Sequence, residues 1–244
     1  LAKRFRSVKN LLKIVAIGGG GFTHESHPEL DMFCLDHSPT NPRIGFVGAA
    51  SGDDPTKIDR FYRHFSAHSA QLDHLPLGTC GAGVATWLKG RDLVYFGGGN
   101  TARMIDHFIK NSWDAPLKHA ARQGVTMAGV SAGAVFWFDW CLSDSLGNGL
   151  QPLRGLGLLK GGICPHYSSE LARKIALKNA ILAHQMPLSY AIDDGAAMAF
   201  GSETVIGLKT LPPSISCYQL AATQDGVAQE TEMCIGQRHL GLAP

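Results

Sequence analysis

Apolar residues in the first half of the chain gather in short, nearly unbroken runs. They occupy 13–17, 43–47, 92–96 and 125–129, and each run leads into glycine or other small residues. Runs of this length with no polar alternation predict strands buried on both faces of a parallel sheet. Residues 73–77 make a further strand. Between the runs the period changes. Ile58, Phe61, Tyr62, Phe65 and Ala70 recur near a 3.6 spacing with Pro55 at the start, which predicts a helix over 55–70. Segments 101–110 and 114–123 are helical in the same way. Strand, glycine turn and helix in alternation predict an α/β fold, a doubly wound and mostly parallel sheet flanked by helices.

After residue 140 the pattern shifts. Glycine and proline are dense from 147 to 165, 169–185 is helical, and short apolar runs at 189–192, 196–200, 204–208 and 215–220 are separated by turn signals. These predict antiparallel strands near the C-terminus that extend the sheet. No linker or internal repeat interrupts the chain, so 1–244 is expected to form one α/β domain. Residues 1–12 are a basic extension containing Lys3, Arg4, Arg6 and Lys9, without the apolar core of a signal peptide.

Composition narrows the function classes. The chain is 45% hydrophobic and 17% charged, with 22 Lys and Arg against 20 Asp and Glu. A net charge of +2 gives no reason to expect a nucleic-acid or membrane-surface partner, and no apolar stretch reaches membrane-spanning length. The six cysteines form no C-x-x-C pair, so they are expected to be reduced thiols, each a small buried hydrophobe, in a cytoplasmic protein. No cofactor is expected: the dinucleotide fingerprint is incomplete at Gly97-Gly98-Gly99-Asn100, and no G-K-[ST] is present. No metal is expected either. His64 and His68 stand four apart on a helix, but without a third ligand they are expected on a solvated face.

The chemistry concentrates in Gly129-Val130-Ser131-Ala132-Gly133. A serine hydroxyl needs a base to take its proton and a sharp turn to present it. A G-x-S-x-G turn between a strand and a helix supplies the presentation, and the following amides can face a developing oxyanion. A strand–helix turn without chemistry is the alternative. The Gly97–Asn100 turn has three readings: a tight turn, an anion loop, or amides facing Ser131. Gly18 to Gly21 is expected to be structural.

Eleven histidines compete for the role of base. His24 and His27 lie in a loop that can approach the site, with nothing to single them out. His166 ends a strand-like stretch before a helix. Between Ser131 and His166 the acidic residues are Asp139, expected on a helix over 135–140, and Asp144, in the loop Ser143-Asp144-Ser145.

Taken together, Gly97-Gly98-Gly99-Asn100-Thr101, Gly129-Val130-Ser131-Ala132-Gly133-Ala134, Pro165-His166-Tyr167 and Asp193-Asp194-Gly195 resemble, in order, the motifs of the peptidase E group of serine peptidases. That group includes aspartyl dipeptidases and is related to cyanophycinase. The resemblance implies a fold similar to class I glutamine amidotransferases, with Ser131 as nucleophile and His166 as base. It puts the oxyanion on the amides of Gly99 and Ala132, and Asp144 near the triad carboxylate. Failing Asp144 and Asp139, the carboxylate is expected outside that interval, for example at Asp194. Asn100, Arg173 and Asp194 are expected to bind substrate, with Arg173 holding an N-terminal aspartate. The expected partner is a small peptide, with a homodimer as an allowed assembly. An esterase using His239, or a non-catalytic small-molecule binder, are the competing functions.

Overall fold

The structure is a computed structural model of the 244-residue chain. It describes residues 12–69, 71–202, 204–212 and 215–234. Apart from the buried Leu12, the basic extension lies outside the described residues, as does His239.

The first half alternates strand and helix as expected, with two further helices over 29–36 and 81–88 and with the strand expected at 73–77 found at Gln71–His74. It runs β1 (Ile14–Ile17), α1 (Glu29–Asp36), β2 (Arg43–Val47), α2 (Pro55–Phe65), β3 (Gln71–His74), α3 (Gly81–Leu88), β4 (Leu93–Phe96), α4 (Thr101–Lys110) and α5 (Asp114–Arg122). Then come β5 (Thr126–Val130), α6 (Ala132–Val135), β6 (Phe138–Ser143), β7 (Gln151–Arg154), β8 (Leu159–Cys164) and α7 (Leu171–Leu182). The chain closes with β9 (Ser189–Ile192), β10 (Ala196–Phe200), β11 (Val205–Thr210), β12 (Cys217–Ala222) and β13 (Ala228–Glu232). Local chemistry sets several boundaries. Asp54 caps α2 by accepting from the Thr56 N–H at 2.8 Å, with Pro55 in the first turn. Asn100 caps α4 by accepting from the Arg103 N–H at 2.8 Å.

The strands form two sheets. One is seven-stranded, in the order β11-β10-β1-β5-β4-β2-β3. Its β1, β5, β4, β2 and β3 are parallel, and β10 and β11 add antiparallel at one edge. This is the mostly parallel sheet with antiparallel C-terminal strands that the pattern predicts. The second sheet corrects the expectation that all late strands extend the first. It is six-stranded, in the order β13-β12-β9-β8-β6-β7, and mixed. The helix expected over 135–140 is also corrected. After Val135 the chain passes directly into β6, and Asp139 sits on that strand, 3.8 Å from Lys160. Phe136, Trp137 and Phe138 are all fully buried, which a strand leaving the core allows and a solvated helix face does not.

One apolar core joins the sheets: Phe96 and Met127 of the first belong to the same cluster as Phe138, Ile163 and Tyr190 of the second. Phe200 packs its ring 5.1 Å from both Phe138 and Tyr190. Each such buried aromatic contributes roughly 1.5–3 kcal/mol. This docking places the end of β8 beside the end of β5.

Candidate active site

Three side chains meet at the junction of the two sheets. Ser131 leaves β5 of the first sheet, His166 follows β8 of the second, and Asp194 lies on the turn by which the chain crosses from β9 to β10. The His166 Nε2 is 2.9 Å from the Ser131 Oγ, and its Nδ1 is 2.5 Å from an Asp194 carboxylate oxygen. With Nδ1–H donating to Asp194, Nε2 is free to accept the Ser131 hydroxyl proton. Burial pushes the Asp194 carboxyl upward. Hydrogen bonds from His166 and Ser169, with the neighbouring His166 and His24, outweigh this and hold it below the usual carboxylate range.

The backbone is bent to present these groups. Ser131 has φ 53° and ψ −119°, and His166 has φ 54°, both in regions that non-glycine residues avoid. Such a residue costs on the order of 1–3 kcal/mol and persists only where its surroundings hold it. At Ser131 the hold is close packing. A Cβ on Gly129 would run into the Gly133 carbonyl, and one on Gly133 into the carbonyl oxygen of Phe96. The Ser131 N–H also donates to Ile17 O at 3.0 Å. The turn after β4 comes alongside: the face where Gly98 would carry a Cβ lies 3.3 Å from the Ser131 Cβ.

Asp194 is aimed by its neighbours. Asp193 is buried, and its carboxylate accepts from Ser168 N–H at 2.9 Å and Ser216 N–H at 3.1 Å. Gly195, at φ 81°, donates its N–H to Gly19 O at 2.9 Å. Gly19 lies flat against the His166–Asp194 pair, where any Cβ would collide with the Asp194 carboxylate.

A cleft of about 130 Å³ opens between Gly19, Gly20, His24, Ser26, His27 and the His166–Asp194 pair. Ser26 also borders a larger cavity of about 360 Å³, whose walls include Phe22, Glu25, Arg60, Arg63 and His64.

The peptidase family S51 model matches residues 14–208, an interval that contains all three of these residues. The chain belongs to peptidase family S51. It is also 34% identical over 220 residues to the uncharacterized peptidase YgaJ of Bacillus subtilis (strain 168), covering 89% of this chain and 95% of that protein. Two solved structures share the fold. A peptidase from an acI-B1 Actinobacterium superposes with a TM-score of 0.68 at 15% identity, over 95% of this chain and 96% of the other. A putative peptidase E protein from Listeria monocytogenes EGD-e gives 0.61 at 17% identity, over 82% and 98%.

This S51 peptidase does not bring all the expected residues together. Asp144 is corrected: its carboxylate is largely exposed and lies 3.8 Å from the Arg173 guanidinium, while the carboxylate on His166 belongs to Asp194. The reason is topological, because the crossing turn reaches His166 from outside the 131–166 interval. Arg173 is corrected as well. It is buried at 6% exposure, donates to Glu170 at 2.6 Å and lies 3.5 Å from Leu142 O, so its guanidinium faces the fold rather than the cleft. Asn100 spends its side chain on the α4 cap and on the Ser145 carbonyl at 3.1 Å. Asp194, expected at the substrate or, failing Asp144 and Asp139, as the carboxylate beside the histidine, takes the second of these places against His166 Nδ1.

Gly19, expected to be structural, and His24, not singled out among the loop histidines, both border the site. The His24 ring lies 6.3 Å from that of His166, and its Nδ1 is 3.0 Å from Gly20 O. Four glycines followed by a histidine-rich loop were the available signal. His64 is not on a solvated face: its ring stacks on Phe22, and its Nε2 lies 3.1 Å from the fully buried Asp31. The expectation for the thiols fits four of them. Cys34, Cys141, Cys164 and Cys217 are buried, and burial pushes Cys141 and Cys164 up to about 12. Among the described residues no helix is long and apolar enough to cross a membrane.

Proposed function

We propose that this peptidase hydrolyses small peptides by serine catalysis, with Ser131 as nucleophile, His166 as general base and then acid, and Asp194 as the carboxylate that orients the imidazole. One observation carries the reading: an unbroken chain of contacts from Ser131 Oγ through His166 to Asp194, set at a strained strand–helix turn. His166 takes the serine proton as Oγ attacks the scissile carbonyl. The amides of Ala132 and Gly99 receive the oxyanion. His166 then protonates the leaving amine, and water repeats the sequence to release the acyl group. The cleft is small and walled by the Gly20–His27 loop, which favours short substrates over folded chains.

A preference for N-terminal aspartate requires a cation at the cleft. Arg173 is committed elsewhere, and the guanidinium groups nearest the pathway through Ser26 are Arg60 and Arg63. Their ion pairs, with Glu25 at 2.8 Å and Asp59 at 3.0 Å, are of the exposed kind, worth on the order of 0–1 kcal/mol and easily exchanged for a substrate carboxylate. The buried thiols Cys34, Cys141, Cys164 and Cys217 support a reducing, cytoplasmic setting for the reaction.

The test is direct. A fluorophosphonate should label wild type stoichiometrically at Ser131 and leave Ser131→Ala unlabelled and inactive on Asp-Leu, Asn-Leu and Ala-Leu. Turnover by Ser131→Ala would overturn the mechanism, and equal kcat/KM on the three dipeptides would overturn the aspartyl preference alone.

A further inference from the structure

Helix α2 runs past the turn after β4, and Lys57, in its first turn, reaches across to that turn. Its ammonium donates to the Gly98 carbonyl oxygen at 3.0 Å, a contact between residues 41 positions apart. The flanks of the turn are pinned by other means: Gly97 N–H donates to Val47 O at 3.1 Å and Asn100 N–H to Ala50 O at 2.9 Å. The peptide between Gly98 and Gly99 carries no side chain on either side. Glycine pairs rotate their shared peptide plane with little steric penalty, and the Lys57 ammonium holds this one by its oxygen.

The peptide is planar and trans, so the Gly98 C=O and the Gly99 N–H leave it in opposite directions. Holding the oxygen on the α2 side turns the Gly99 N–H to the other side. Gly98 is buried against the Ser131 Cβ, while Gly99 is exposed. A carbonyl that accepts from an ammonium is also polarised, which makes the N–H of the same peptide a stronger donor. Oxyanion stabilisation depends on donors that are already oriented when charge develops.

We infer that Lys57 is a positioning residue for the oxyanion site, fixing and polarising the Gly98–Gly99 peptide so that the Gly99 N–H is ready for the charge on the substrate oxygen. In this role Lys57 acts through the peptide alone. The inference rests on the serine mechanism proposed above.

The experiment compares Lys57→Met, Lys57→Gln and Lys57→Arg with wild type in the full chain. It uses the best dipeptide of the panel, the second-order rate of fluorophosphonate labelling at Ser131, and the melting temperature. Removing an oxyanion donor outright costs about 10²–10³ in kcat, so losing its anchor in Lys57→Met should cost about 10- to 100-fold. KM should stay within about threefold, because the contact matters mainly in the transition state. Labelling should slow in parallel, since the phosphonyl oxygen occupies the same site. Lys57→Arg, which still donates with a full charge, should recover most of the rate, and Lys57→Gln should fall between. Wild-type kcat in Lys57→Met, a loss carried in KM, or no recovery in Lys57→Arg would each overturn the inference. If Lys57→Met does not fold, the ranking of Lys57→Arg above Lys57→Gln in kcat decides the matter, and equal rates overturn it. Ser131→Ala separates the two ideas: an inactive Ser131→Ala beside a fully active Lys57→Met removes the role of Lys57 and leaves the mechanism standing.

Discussion

Asp194→Asn is the substitution on which the assignment of the catalytic carboxylate stands. In the proposed mechanism, the imidazolium formed when His166 takes the serine proton lies beside a carboxylate whose oxygen is 2.5 Å from Nδ1. Two unit charges with centres about 4 Å apart attract by about 4 kcal/mol at an effective dielectric near 20. The Asp194 side chain is 43% exposed, and water screening discounts that to about 2–3 kcal/mol, or roughly 10²-fold in rate. A second effect adds to this. An Asn that turns its amide N–H₂ toward Nδ1 selects the tautomer with hydrogen on Nε2, which cannot accept from Ser131. In serine triads the combined loss reaches about 10⁴-fold. Asp194→Asn should therefore lower kcat by about 10²–10⁴ with little change in KM. Asp144→Asn should stay near wild type, since its carboxylate faces Arg173. Steady-state kinetics on one good dipeptide, with circular dichroism to confirm folding, decide it. An Asp194→Asn enzyme within about tenfold of wild type, or an Asp144→Asn enzyme equally impaired, would refute the reasoning.

The remaining expectations use the same neighbourhood. Because the Asp194 carboxyl titrates below its usual range in the fold, its stabilisation is complete above the unfolded value near 4 and is lost as pH falls through the folded value. Wild type should accordingly lose more stability than Asp194→Asn between about pH 5 and pH 3, and parallel denaturation curves would contradict this. Gly19→Ala should push the Asp194 carboxylate off His166 and lower kcat by at least about 10²-fold, with a far smaller effect on melting temperature; near-normal kcat would show that the pair tolerates the added methyl. Arg173→Met should cost about 1–3 kcal/mol of stability, a melting shift of several degrees, and leave the Asp-Leu to Ala-Leu ratio unchanged; a collapse of that ratio would return Arg173 to the substrate site.

The alternating α/β half of this protein was legible in its sequence because buried strands and amphipathic helices leave local periodic signatures. The apolar runs ending at Ile17, Val47 and Phe96 are strands, and the 101–110 helix has its predicted bounds. The turn that presents Ser131 was legible for a related reason. Gly129 and Gly133 are required by contacts with residues close in the chain or on the neighbouring strand, so the motif carries its own geometry. The choice among the candidate carboxylates and the fate of Arg173 were not legible. Asp194 reaches His166 only because β9 belongs to one sheet and β10 to the other, so the turn between them crosses the junction where Ser131 and His166 already meet. Arg173 faces inward because α7 packs against the second sheet, which docks on the first through aromatic contacts such as Phe138 with Phe200. Local sequence sets which residues can turn, cap or alternate. Which charged side chain stands beside which depends on contacts between segments distant in the chain, and folding alone brings those together.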